Sequence, residues 1–265
     1  MKFFSRFSLM ISGLLMVFPT VGTLQVQNLV AYYRFDDGSN ADDRSGNKHH
    51  GKLVGGTEFV KNDGAPVPGG KGCVKFVHKP GNAVDCGESP DLRIADNLTL
   101  MAWAKPDEAN STQYVAGTPY DDKAAWDAPW VGHQIGVRGG RMATWLNIKA
   151  VDREYDSGAV KAGEWTHLAF TFSGKAAISY VNGEEVANMP DRQGKIEFDG
   201  KPHFMIGERS EIAIGEPFGG LIDEVALFKQ VLKPDEIKAL MKEGIPLVVE
   251  QGGKLATTWG HLKRR

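Results

Sequence analysis

The stretch "GGLIDEVALFKQVLKPDEIKAL", residues 219–240, holds a long apolar strand and, a few residues later, a short helix. Pro234 supplies the fixed φ that suits a first helical turn, and Asp235 and Glu236 stand at the positive end of the helix dipole. Ile237, Leu240 and Met241 share one face, and Gly244 supplies the stop. This is a surface helix with a single apolar stripe, packed on whatever the strands build. Two acids, Asp223 and Glu224, interrupt the strand. In a regular strand such neighbours point to opposite faces, so they do not work as a catalytic pair.

Outward from this stretch the chain is strands and turns. "LVAYYRF", "GKLVGG", "GCVKFV" and "NAVDC" succeed one another between residues 29 and 86. In "LTLMAWAK", Leu98, Leu100, Ala102 and Ala104 share one face, while Thr99, Met101, Trp103 and Lys105 share the other. Gly139-Gly140, Asn182-Gly183 and Ser173-Gly174 each stand between two such runs, and Asn-Gly is the strongest short hairpin signal. The chain's 32 Gly and 13 Pro fit many turns. Recurring helices, which a parallel α/β fold needs, are missing from the pattern. The expected fold is all-β, a two-sheet antiparallel jelly-roll sandwich with one short C-terminal helix.

The ends read differently. "MKFFSR" carries Lys2 and Arg6, and the uncharged "FSLMISGLLMVFPTVG" follows. That layout reads as a secretory signal over residues 1–22, with Thr20 and Gly22 as the small residues of a cleavage site; an uncleaved N-terminal anchor is the alternative. The mature protein is expected to be secreted or attached to the cell envelope, with its domain over residues 29–243. Residues 244–265 form a tail with a basic end and Trp259, which reads as surface-attaching or disordered. Formal net charge is only −2, so nothing draws the chain toward nucleic acid or anionic membrane. The two cysteines, Cys73 and Cys86, are equally far from a turn centred on Lys79 and Pro80. A hairpin there sets them opposite each other for a disulfide, whereas two buried thiols are the alternative.

In their order, "AYYRFDDGS" with "DDRSGNKHHGKL", "GCVKFVHKPGNAVDCG", "GEWTHLAFTFSGKAAISYVNGEEV" and "GLIDEVALFKQVLKPDEIKAL" resemble the laminin G-like, concanavalin A-like jelly-roll domains of secreted bacterial proteins. The resemblance implies that the first strand pairs near the last and that the helix caps the closing edge. It implies less about activity, because the same fold hosts lectins, adhesion modules and hydrolases.

Asp36, Asp37, Asp42 and Asp43 lie together in a Gly-containing loop, a composition that suits Ca²⁺, although the spacing is not that of an EF-hand. The resemblance implies an edge Ca²⁺ held by Asp36, Asp43, Asn47 and Asp223; a solvated acidic turn is the alternative. Glucan-cleaving members of the family carry an E-x-D-x-x-E strand pattern, and "LIDEVALF", "EIAIGE" and "NGEEVA" do not supply it. His49-His50 has no third zinc ligand at suitable spacing, and His167, like Trp103, Trp145 and Trp165, reads as core.

What remains is surface recognition. "PYDDKAAWDAPWVGHQIG" sets Tyr120, Trp126 and Trp130 beside Asp121, Asp122 and Asp127, so that rings can stack on a sugar while acids accept from its hydroxyls. The alternative is that both Trp side chains fold inward. The expected function is a non-catalytic secreted module that recognises carbohydrate or glycoprotein. A glycan-cleaving hydrolase and an adhesive or structural surface protein are the competing readings.

Overall fold

The computed structural model describes residues 28–36, 40–118, 132–148, 154–198, 200–209 and 216–246. The expected signal segment, Asp37, the loop bearing Tyr120, Trp126 and Trp130, and the tail from residue 247 lie outside the described residues.

Two antiparallel sheets stack face to face. The first runs β13 (Glu184–Met189), β12 (Ala177–Val181), β11 (Thr166–Phe172), β6 (Leu98–Pro106), β15 (Gly220–Phe228), β4 (Gly72–Phe76), β3 (Glu58–Lys61), with β1 (Leu29–Tyr33) also pairing β15. The second runs β10 (Glu154–Ala159), β9 (Arg141–Leu146), β8 (His133–Arg138), β7 (Gln113–Thr118), β14 (Met205–Ile206), β5 (Ala83–Asp85), β2 (Lys52–Val54). Among the described residues these sheets have eight and seven strands. The three hairpins stand where the turn dipeptides put them, with Arg138 opposite Arg141, Phe172 opposite Ala177 and Val181 opposite Glu184.

The alternation in β6 sets the layers. Leu98, Leu100, Ala102 and Ala104 enter the inter-sheet core with Ile135, Val137, Met142, Leu168, Phe170 and Phe204. Met101 and Trp103 face the other way, outside the eight-stranded sheet. There the helix α1 (Pro234–Glu243) lays Ile237 and Leu240 over Tyr32, Met101, Ala169, Tyr180, Ala226 and Phe228. Full burial of a side chain such as Ile237 contributes about 1.5–3 kcal/mol. Glu236 accepts from the Lys233 N–H at 2.7 Å, and Gly244, at φ 73°, ends the helix. Ala65 and Val67 cover Trp103 beside the helix. This sheet therefore has an outer layer of its own.

β15 changes partner along one edge. Residues 220–222 pair with β4 and residues 225–228 with β1, so the first strand and the last lie side by side. Between the two pairings the register with β6 shifts, and Glu224 takes φ 53°. This β-bulge overturns the expectation that Asp223 and Glu224 face opposite ways. Asp223 accepts from Ala65 N–H, and Glu224 accepts from the Tyr32 hydroxyl; Ala65 and Tyr32 both belong to the layer outside the eight-stranded sheet.

The expected Cys73–Cys86 disulfide is not formed; both cysteines are free. β4 and β5 do not make a hairpin, because the chain between them crosses from one sheet to the other. Cys86 joins the inter-sheet core, while Cys73 donates to the Asp63 carbonyl at 3.2 Å. The two thiols face different compartments, so equal distance from a turn did not bring them together.

Candidate functional site

On the outer face of the seven-stranded sheet the alternation of "RMATWL" turns Met142, Thr144 and Leu146 inward. It sends Ala143 and Trp145 out, where they meet Tyr114. The Trp145 and Tyr114 rings lie 4.4 Å apart between centroids, although they stand on strands separated by β8. Gly136 of β8 makes this possible. A Cβ there would stand 2.9 Å from Trp145 Cζ3 and 2.1 Å from the Gln113 carbonyl oxygen. The indole thus rests on bare backbone.

Charged side chains wall this floor. The Arg138 guanidinium stands 5.8 Å from the Trp145 ring centre and that of Arg209 stands 5.9 Å from Tyr114, both within cation–π range. Arg138 Nε donates to both oxygens of Asp156, at 3.1 and 3.0 Å, and Nη1 donates to Glu154. Glu154 also accepts the Trp145 indole N–H at 3.1 Å. On the far side Arg209 pairs with Glu216 at 3.4 Å, and the Arg209 carbonyl accepts from Gln134 at 3.1 Å. Partial burial works against the Arg138 charge, but the bonds to Glu154 and Asp156 outweigh it and push its pKa up. Burial, and then the Glu216 charge, push the Tyr114 phenol up, so it stays a neutral hydroxyl. Tyr114 and Trp145 are only 5 % and 7 % exposed, whereas Glu154, Asp156 and Glu216 are exposed. The arrangement is an aromatic floor with a solvent-facing rim of carboxylates. Among the described residues, the apolar clusters that hold α1 and Ala65 lie on the other sheet.

Trp145, which reads as core from its sequence, is buried, in a small cluster with Tyr114 and Ala143 on the outer face of the sheet. The period-two pattern of "RMATWL" carried the signal that Trp145 faces out. Tyr120, Trp126 and Trp130, the expected ligand residues, lie outside the described residues on the connection from β7 to β8.

A second polar cluster sits where β15 changes partner. Asp223 is fully buried and accepts from the Ala65 and Glu224 N–H groups, both at 2.8 Å. Glu224, 4 % exposed, takes the Tyr32 hydroxyl and lies 3.5 Å from Arg34 Nε, which also pairs with Asp36. Burial, opposed by Tyr32 and Arg34, lifts the Glu224 carboxyl to about 7. Burial and the neighbouring Glu224 charge hold Asp223 well above the usual carboxylate range. Two acids with raised pKa values invite a catalytic reading, but both are enclosed beneath residues 65–67 and Tyr32.

Of the four expected Ca²⁺ ligands, Asp36 belongs to this cluster and is near enough to act on the charge of Asp223. Asp43 and Asn47 belong to another. Asp43 accepts from Tyr32 N–H at 3.0 Å, from Ser45 N–H and Oγ–H at 2.8 and 2.9 Å, and from His49 N–H at 2.9 Å. Asn47 turns its amide N–H groups to the Leu29 and Val30 carbonyls. N–H and O–H donors surround the Asp43 carboxylate, while Asn47 donates to carbonyl oxygens, so the four residues stand as two separate groups. Among the described residues no three His, Cys, Asp or Glu side chains make a set that could hold a metal ion. Asp43 instead ties its own loop to β1.

The remaining expectations concern histidines. His167 is fully buried with its ring edge-on to Trp103, and burial alone depresses it to about 3. It is a neutral core residue, as its apolar strand implies. His133 is likewise depressed by burial, to about 4. No helix among the described residues is long and apolar enough to cross a membrane.

No curated protein matches the sequence. Among solved structures, domain 4 of AbnA, a GH43 extracellular arabinanase from Geobacillus stearothermophilus in complex with arabinotriose, superposes with a TM-score of 0.62. It is 20% identical over 81% of this chain and 98% of its own. The binding domain of Paraclostridial Mosquitocidal Protein 1 gives 0.62 at 13% identity, over 81% of this chain and 52% of that one. The Ruminococcus gnavus IT-sialidase CBM40 bound to α2,3 sialyllactose gives 0.54 at 18% identity, over 64% and 96%. At these identities the likeness is one of fold. Residues 80–238, more than half of the 265, match the Laminin_G_3 family. With its two stacked sheets and closing helix, the chain belongs to that laminin G-like family of the concanavalin A-like lectin/glucanases superfamily.

Proposed function

We propose that the protein is an exported, non-catalytic carbohydrate-binding module whose ligand lies along the outer face of the seven-stranded sheet. The observation that carries this reading is the Trp145–Tyr114 floor with its rim of Glu154, Asp156 and Glu216. A sugar suits such a rim, because its hydroxyls donate to exposed carboxylates, one of which the buried Trp145 holds in place. Tyr120, Trp126 and Trp130 belong to the proposal as further contacts, since their segment joins two strands of this face. The ligand is a free oligosaccharide or the glycan of a glycoprotein.

Structures of like fold, from domains bound to arabinotriose and sialyllactose and from toxin binding domains, support recognition over catalysis. The burial of Asp223 and Glu224 supports it as well, because a glycosidase needs both carboxyls at the substrate. Export is supported by the basic-then-apolar start and by the likeness to a domain of an extracellular enzyme.

The test is a glycan array with the mature protein, followed by calorimetry on Glu154→Ala and Asp156→Ala. Affinity should fall at least tenfold in either variant. Unchanged binding in both moves the ligand off this face, and release of new reducing ends from a bound glycan replaces the module with a hydrolase.

A further inference from the structure

We infer that His167 is an acid-sensitive latch, which on acidification frees helix α1 from the eight-stranded sheet before the two sheets part. His167 is fully buried, and neither of its ring nitrogens has a hydrogen-bond partner among the described residues. The alternation of β11 sends Leu168, Phe170 and Phe172 into the inter-sheet core, so the imidazole lies on the outer face with Ala169. There it stands between Trp103, its partner on β6, and the Asn182-Gly183 turn, where Asn182 Oδ1 accepts the His167 backbone N–H at 2.9 Å. The last turns of α1 reach over both neighbours. Met241 packs on the Trp103 cluster, and a Cβ at Gly183 would stand 3.5 Å from Met241 Cε and 2.8 Å from Lys238 Cγ. An imidazolium has two N–H donors to satisfy, and water reaches them once the helix lifts.

The charged groups on the surrounding elements are matched elsewhere. Lys238 of α1 pairs with Glu184 at 2.9 Å, Lys105 of β6 with Asp63 at 3.3 Å, and Lys161 with Glu164 at 3.5 Å. Lys242 and Glu243 are exposed, Asp223 and Glu224 lie beyond Trp103 on β15, and Tyr180 and Cys73, both raised, stay neutral. Burial alone lowers the imidazole, to about 3, against an ordinary 6.5. The closed helix is therefore favoured in full above pH 6.5 and loses that advantage as pH falls toward 3. α1 is the element placed to respond, because Ile237, Leu240, Met241 and the Lys238–Glu184 pair hold it outside the inter-sheet core. His133 shares the inward face of β8 with Ile135 and Val137, so complete opening exposes it and lifting of α1 does not.

Amide hydrogen exchange on the full chain and on His167→Phe, at pH 7, 6 and 5 and corrected for intrinsic rates, tests this. In the parent at pH 5, protection of residues 237–243 should lie at least tenfold below that of β6 and β11, which marks an opening smaller than complete unfolding. The ratio of variant to parent protection at α1 should grow about twentyfold from pH 7 to pH 5, as the release of a histidine of ordinary pKa requires. Asp223 and Glu224 act in the opposite sense, but in both proteins alike, so the ratio cancels them. His167→Leu carries the same comparison where the Phe variant does not fold. Parallel loss of protection in parent and variant would overturn the latch. So would α1 amides that exchange no faster than those of β6 and β11 at every pH, because the helix would then leave only with the whole fold.

Discussion

The indole N–H of Trp145 donates to Glu154 Oε1 at 3.1 Å, across the register that sets these two residues opposite each other on β9 and β10. The bond fixes the ring plane over Gly136 and orients one carboxylate of the rim. Trp145→Phe keeps the packing and loses the donor. We expect a melting temperature within a few degrees of the parent and a several-fold loss of oligosaccharide affinity, read by calorimetry. Trp145→Ala should also destabilise the fold, by about 3–5 kcal/mol, as removal of large buried rings does.

Glu224 gives the molecule a pH dependence whose sign can be worked out. Its folded pKa, about 7, lies above the ordinary 4.5, so the native state binds this proton more tightly than the unfolded chain does. Its contribution is fully present below pH 4.5 and is lost as pH rises through 7. The loss is on the order of 3 kcal/mol by linkage, and Asp223, also raised, acts in the same direction. Glu224→Gln should flatten the stability curve between pH 4.5 and 8 and melt higher than the parent at pH 8. Denaturant unfolding at four or five pH values checks it. A parallel pair of curves would show that Glu224 does not carry the dependence.

Asp43 holds three backbone N–H groups and one hydroxyl. Asp43→Ala should cost about 3 kcal/mol by leaving those donors without their acceptor. The same drop is expected in millimolar Ca²⁺ and in chelator, because the carboxylate serves N–H groups. A drop confined to the Ca²⁺ condition would instead assign Asp43 to the expected cation site.

For the cysteines, dithiothreitol should leave the melting temperature unchanged, and thiol titration in denaturant should count two free groups per chain. Thiol titration in native buffer should be slow, since both are buried and both pKa values are raised, Cys73 to about 12 by burial and then Asp223. Loss of stability on reduction would mean that the bridge forms after all.

Much of this architecture could be read from local pattern. β6 shows its two faces in eight letters, the hairpins carry their turn dipeptides, and Pro234 and Gly244 bracket the helix. What could not be read depended on residues far apart in the chain. The bulge at Glu224 exists because β15 passes from β4 to β1, a switch that no window around "IDE" contains. The cysteine pairing failed for a similar reason: a turn-centred argument assumes that the flanking strands are neighbours, and here they belong to separate sheets. Trp145 is a different case. It is buried, as a strand tryptophan is expected to be, but "RMATWL" also carries its direction, away from the inter-sheet core and toward Tyr114.

Because Cys73 lies under the segment at residues 63–67 and Cys86 lies between the sheets, the chain carries two built-in timers. Alkylation of the first clocks how often that segment lifts, and alkylation of the second clocks how often the sandwich parts. A mass spectrometer reading both in one sample separates local breathing from complete opening, with no label added to the protein.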